Sequence, residues 1–142
     1  MTSARSAPEL LAPAGHVEGF LAAVDSGADA VYVGLKQLSA RASAVNFTLE
    51  ELAFLIPYAH KRQVSIYVAL NSLVAATEVS ETLDLLQALS DLDADALIVQ
   101  DPGIFTLARR WFPRIKLHAS TLMTAHNRSE EHTSELQSPN TI

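Results

Sequence analysis

Ser65-Ile66-Tyr67-Val68-Ala69-Leu70 decides the fold. After its first residue the run does not alternate between apolar and polar, as a strand with one wet face would. It reads as a strand covered on both faces, the usual situation in a parallel sheet. Ala30-Val31-Tyr32-Val33 and Ala96-Leu97-Ile98-Val99 have the same character on either side of it. Leu10-Leu11-Ala12 and Ile115-Lys116-Leu117-His118 extend the set to five candidate strands.

The intervals between them carry helical spacing. Val17, Phe20, Leu21 and Val24 form one face of a helix that ends near Gly27. Thr48 and Glu51 have capping-box spacing, and Phe47 and Leu52 occupy the staple positions around it. Leu52, Leu55, Ile56 and Ala59 follow as a buried stripe, interrupted by Pro57, which deletes one hydrogen bond and should bend the axis. A third helix carries Val79, Leu83, Leu86 and Leu89. A fourth begins with Asp101 as N-cap and Pro102 in the first turn, has the stripe Ile104, Leu107, Ala108 and Trp111, and stops at Pro113. The order β-α-β-α-β-α-β-α-β predicts an α/β fold with a parallel sheet and right-handed crossovers. Ala28-Asp29-Ala30-Val31-Tyr32-Val33 is echoed by Ala94-Asp95-Ala96-Leu97-Ile98-Val99, which fits duplication and the shared demands of a helix-to-strand turn equally.

Composition narrows the function. The chain has 142 residues, 49% hydrophobic and 18% charged, enough for one domain with a core and too apolar for disorder. The net charge of −6 and the lack of a basic block disfavour non-specific binding to nucleic acid or a membrane surface. There is no cysteine, which removes disulfides, thiolate catalysis and cysteine-held clusters within these residues. No run approaches the ~20 apolar residues of a membrane span, and the start does not read as a signal peptide, so a cytoplasmic, bacterial protein is expected. No G-x-G-x-x-G or P-loop pattern occurs.

In a parallel α/β sheet ligands gather at the carboxyl ends of the strands. The candidates there are Arg41, Asn46, Asn71, Gln100 and Ser120 for substrate binding, with Asp101 and His118 as candidate catalytic groups. Four of them have a plainer reading: Arg41 as a solvated loop charge, Asn46 as a turn residue, Asp101 as a helix cap and His118 as a hydrogen-bonded core histidine. Gly15 and Gly34 read as tight-turn glycines. The histidines lack metal-ligand spacing, and no metal site is expected.

Several stretches together resemble a known family. They are Glu9-Leu10-Leu11-Ala12-Pro13-Ala14-Gly15, Gly27-Ala28-Asp29-Ala30-Val31-Tyr32-Val33-Gly34, Ser39-Ala40-Arg41-Ala42 with Asn46-Phe47-Thr48, Tyr67-Val68-Ala69-Leu70-Asn71, Val99-Gln100-Asp101-Pro102-Gly103 and His118-Ala119-Ser120-Thr121. In this order and spacing they resemble the amino-terminal part of the collagenase-like peptidase family U-32. The resemblance implies an incomplete TIM-type (β/α) barrel of about five parallel strands and four helices. It also implies a hydrolase that cleaves peptide bonds, inactive as this fragment. Other members imply the alternative of iron–sulfur-dependent, oxygen-independent hydroxylation of tRNA, rRNA or a ubiquinone precursor. The cluster would belong to the full-length parent, and no cofactor is expected in the fragment itself. A non-catalytic β/α ligand-binding module is the third reading.

The expected partners are a peptide or small anionic substrate, with nucleic acid only under the hydroxylation reading and no membrane. Residues 1–8 read as a flexible N-terminus, 9–127 as the front half of the barrel and 128–142 as a non-native tail. The string Arg128-Ser129-Glu130-Glu131-His132-Thr133-Ser134-Glu135-Leu136-Gln137-Ser138 is what a common sequencing adapter gives when translated in one frame. An open half-barrel leaves a strand edge and an apolar face uncovered, so the fragment is expected to self-associate.

Overall fold

The structure, a computed structural model, describes residues 7–36 and 46–123. The elements run β1 (Leu11–Ala14), α1 (Val17–Asp25), β2 (Ala30–Gly34), α2 (Leu49–Lys61), β3 (Ser65–Leu70), α3 (Val79–Asp91), β4 (Ala96–Val99), α4 (Pro102–Trp111) and β5 (Lys116–Ala119). All four strand pairings are parallel, and the sheet order is the chain order, β1-β2-β3-β4-β5. A strand order that never reverses, with right-handed crossovers, keeps every helix on one side of the sheet. This is the arc of a (β/α) barrel and not a doubly wound sheet, whose order reverses at a switch point.

The two sheet faces differ. Val31, Val33, Ile66, Val68, Leu70, Leu97, Val99 and Leu117 point to the helices and form the main core with Phe20, Leu52, Ile56, Leu86, Leu89 and Phe105. The inner face carries a smaller cluster of Ala30, Tyr67 and Ala96, with Ile98 packed on it.

Three helix ends share one geometry. Gly27, Gln63 and Asp93 all have positive φ, at 93°, 59° and 61°. Each is followed by a buried apolar residue, Ala28, Val64 or Ala94, whose N–H donates back to the carbonyl of Ala23, Ala59 or Leu89. This back-bonding with a left-handed residue is the Schellman arrangement. It recurs at the first three helix-to-strand turns, including the one without the Ala-Asp-Ala spelling, whereas the turn from α4 to β5 is closed by Ile115 N–H donating to the Phe112 carbonyl at 3.1 Å.

The aspartates of that spelling add a clamp. Asp29 N–H donates to the Leu10 carbonyl at 2.9 Å, its Oδ2 accepts from Leu10 N–H at 2.7 Å, and its carbonyl accepts from Ser65 N–H at 3.0 Å. Asp95 repeats this with the Ile66 carbonyl at 3.0 Å, Ile66 N–H at 2.7 Å and Lys116 N–H at 3.1 Å. Each residue therefore ties three neighbouring stretches of chain together at the amino edge of the sheet.

The helix starts follow their local signals. Thr48 Oγ1 accepts from Glu51 N–H at 3.1 Å, and Glu51 Oε2 accepts from Thr48 N–H at 3.0 Å, closing the capping box. α2 runs on through Pro57, whose ring is on the exposed side.

Other expectations are corrected. β1 starts at Leu11 and takes in Pro13 and Ala14, with Pro13 tolerated because β1 is at the edge of the described sheet. β5 is one residue later than expected. On α3, Thr82 and Leu85 are buried, whereas Val79 and Leu83 are only partly covered. On α4, Ile104 and Ala108 are buried as expected and Phe105 joins them, while Leu107 is half-buried and Trp111 is 62% exposed.

The turn geometry predicts that Gln63→Gly stabilises the chain by about 0.5–1 kcal/mol, because glycine relieves the left-handed backbone. The clamp predicts that Asp95→Ala costs about 1–3 kcal/mol by leaving the Ile66 amide without its acceptor. Urea unfolding midpoints check both, with a raised midpoint for the first and a lowered one for the second.

Candidate functional site

Alternation along the strands builds the inner face in rows. Tyr32, Tyr67, Ala96 and Lys116 are partners in one row, and Gly34, Ala69, Ile98 and His118 in the next. One further step places Asn71, Gln100 and Ser120 just past the carboxyl ends of β3, β4 and β5. Gln100 N–H donates to the Leu70 carbonyl at 3.3 Å, and Ser120 N–H to the Val99 carbonyl at 2.8 Å, so the ladder extends to both.

Asn46 joins this rim by a different route. The chain returns after β2, and Phe47 bridges Leu35, with Phe47 N–H donating to the Gly34 carbonyl at 3.0 Å. That brings the Asn46 amide over Gly34, where a Cβ would lie 2.6 Å from Asn46 Oδ1. Gly34 therefore serves close approach. The expected tight-turn role is corrected, because Gly34 ends β2 and only Gly27 among the described glycines has positive φ. Beside it opens a depression of about 420 Å³, lined by His16, Val17, Glu18, Lys36, Asn46 and Glu51. His16 Nδ1 accepts from Gly19 N–H at 3.0 Å, which leaves the ring proton of neutral His16 on Nε2.

The candidates separate by what their polar atoms already do. Asp101 Oδ1 accepts from Gly103 N–H at 2.8 Å and Ile104 N–H at 3.1 Å, and Oδ2 accepts from Val74 N–H at 3.0 Å. Burial would raise its pKa, but these backbone donors outweigh burial and hold the carboxyl below its ordinary range. Its carboxylate starts α4 and ties down the loop after β3. Ser120 Oγ accepts from Leu122 N–H at 3.3 Å, capping the short turn Thr121–Met123. Asn71 is exposed at the rim, Gln100 is half-buried, and Arg41 lies outside the described residues, as does the tail 128–142.

His118 is different. It is 2% exposed on the inner face, and its ring meets the Tyr67 ring at 4.7 Å between centroids and 58° between planes. Burial pushes the imidazole pKa down and Lys116 pushes the same way, while the negative charge of Glu9 opposes them. Tyr67 OH donates to Glu9 Oε1 at 2.8 Å. Burial, reinforced by that carboxylate, raises the phenol well above its usual range. Sequence reasoning did not single out Tyr67 or Glu9 as site residues. The available signal was the inward phase of Tyr67, two residues from Ala69 on β3.

At the amino ends of the strands a second depression of about 370 Å³ holds His60 against Asp95 at 2.7 Å. In barrels that end serves stability.

The chain belongs to peptidase family U32, whose model matches residues 15–135. It is 40% identical over 120 residues to tRNA hydroxylation protein P1 of Bacillus subtilis, covering 84% of this chain and 28% of that protein. It is 39% identical over 119 residues to an uncharacterized protease of Methanocaldococcus jannaschii, covering 84% and 29%. It is 40% identical over 121 residues to the 23S rRNA 5-hydroxycytidine C2501 synthase of Escherichia coli, covering 85% and 18%. The chain thus spans less than a third of the length of these curated relatives. A solved U32 peptidase structure matches with a TM-score of 0.71 at 15% identity, over 96% of this chain and 58% of that one, which supports the half-barrel fold.

The environment of His118 sets a pH dependence. The folded state resists protonation that the unfolded chain accepts, so stability is full above about pH 6.5 and falls as the pH drops below it. Asp101 adds a second loss only below about pH 4, because its folded carboxyl is held low. Urea midpoints measured between about pH 3 and 8 should fall on the acid side, first below about pH 6.5 and again below about pH 4. His118→Leu should flatten that part of the curve and leave the lower step in place.

Proposed function

We propose that the parent of this chain hydroxylates RNA, and that these residues form the front of its barrel. The observation that carries this reading is the 40% identity to a tRNA hydroxylation protein and to an rRNA hydroxycytidine synthase. The geometry agrees with it. Asn46, Asn71, Gln100 and Ser120 bring neutral donors and acceptors to the carboxyl ends of four adjacent strands, a rim suited to the edge of a single unstacked base. Arg41 would pair with a phosphate or another anionic group. His118, buried below the rim and kept neutral, would be the proton-transfer group. Asp101 is left to hold α4 and its loop.

These residues do not fit an iron–sulfur cluster. The chain has no cysteine, and among the described residues no group of three or more His, Asp or Glu could hold a metal ion. Any cluster in the parent would be held by residues outside this chain.

A second reading, peptide-bond hydrolysis, is supported by the protease name of the 39% identical relative. Mass spectrometry of tRNA and rRNA nucleosides from a strain lacking the parent gene separates the two. We expect a hydroxylated nucleoside to disappear and to return with the parent but not with its His118→Ala variant. Unchanged nucleosides, together with peptide cleavage by the purified parent, would overturn the reading. The 142-residue chain alone should show no turnover, since barrel sites draw on several further strands.

A further inference from the structure

The inner face holds three polar-tipped groups from distant parts of the chain. Glu9 precedes β1, Tyr67 lies in the middle of β3, and His118 lies in β5. Between Tyr67 and His118 runs β4, and there the row of Tyr67 holds only Ala96, which is fully buried. A larger side chain at that position would crowd the space the phenol ring occupies. Ala96 and Ala30 instead form the cluster on which Tyr67 packs, and this lets the ring reach His118 one row higher. The far end of the same ring is held by the Glu9 carboxylate at 2.8 Å.

We propose that Glu9 and Tyr67 are positioning residues: the Tyr67 hydroxyl holds the Glu9 carboxylate against the inner face of the barrel, and through that contact the carboxylate acts on the His118 imidazole against which the phenol ring packs. The proposal rests on the reading of His118 as the proton-transfer group. The packing supports it, because Tyr67 is 6% exposed and His118 2%, so neither ring can reorient without displacing the other. A tilted pair at this spacing is a favourable ring arrangement.

The charged and titratable groups around the imidazole follow from the same geometry. Glu9 acts from ahead of β1, Lys116 from its own strand and Tyr67 from β3, while Asp95 at the entry of β4 acts on Tyr67. On β4, the inward residues Ala96 and Ile98 are uncharged. Glu9 is on the exposed segment before β1, so the Tyr67 hydroxyl is what keeps its charge near the imidazole. Tyr67→Phe keeps the ring and its packing but releases the carboxylate. Glu9→Gln keeps an acceptor for the phenol but removes the charge.

The test is the titration of the His118 ring protons by NMR in the 142-residue chain, with His118→Gln used for assignment. Glu9→Gln should lower the midpoint by about half a pH unit, the order of effect of one nearby charge under solvent screening. Tyr67→Phe should lower it by a similar amount, and the double variant no further, because both act through one contact. A midpoint unmoved by Tyr67→Phe, or effects that add in the double variant, would overturn the proposal, because the hydroxyl–carboxylate contact would then not act on the imidazole. If the chain proves too poorly folded to titrate, the same variants in the full-length parent give the same decision. The nucleoside analysis above judges the chemistry separately, so a failed assignment of RNA hydroxylation and a failed positioning role give different results.

Discussion

Strand register is the constraint on which the rest of this structure depends. Side chains alternate with a period of two, so a slip of one residue would turn His118 toward the helices and Leu117 toward the barrel interior. Asp29 and Asp95 oppose such a slip. Each joins the start of its strand to the preceding strand by both backbone and side chain, and to the following strand by its carbonyl. The carboxylates sit at the amino ends of the strands, away from the rim. They decide which residues arrive there.

The features legible in the sequence are local ones. The Thr48–Glu51 capping box and the Asp101–Pro102 helix start involve partners a few positions apart, and both form as their spacing demands. β3 and β4 have the expected bounds because uninterrupted apolar runs leave little choice of phase. Periodicity constrains less where an apolar stripe has an apolar neighbour. On α4, Phe105 and Trp111 compete for the buried face, and only the position of the sheet gives it to Phe105. The site is less legible still. Tyr67 and Glu9 stand 58 positions apart, and Val74 and Asp101 stand 27 apart. No spacing rule pairs such residues, because the sheet brings them together.

The site residues divide according to work already assigned to their polar atoms. Asp101 has both carboxylate oxygens engaged by backbone amides, and the Ser120 hydroxyl accepts from the turn that follows it. Asn46, Asn71 and Gln100 form a rim whose amide groups can donate and accept at once. His118 lies beneath that rim, in the same row as Gly34, Ala69 and Ile98.

The contact between Gly34 and Asn46 bears on how this family can change. With 2.6 Å between Asn46 Oδ1 and the place of a Cβ at position 34, any side chain there has to displace the Asn46 amide. A lineage that acquires alanine at 34 first loses the placement of the amide at the rim. One that first replaces Asn46 with a smaller residue opens the way for a side chain at 34. A residue other than glycine at 34 therefore moves the Asn46 amide from its place at the rim, and the shape of the rim is set as much by the missing side chain as by the amide itself.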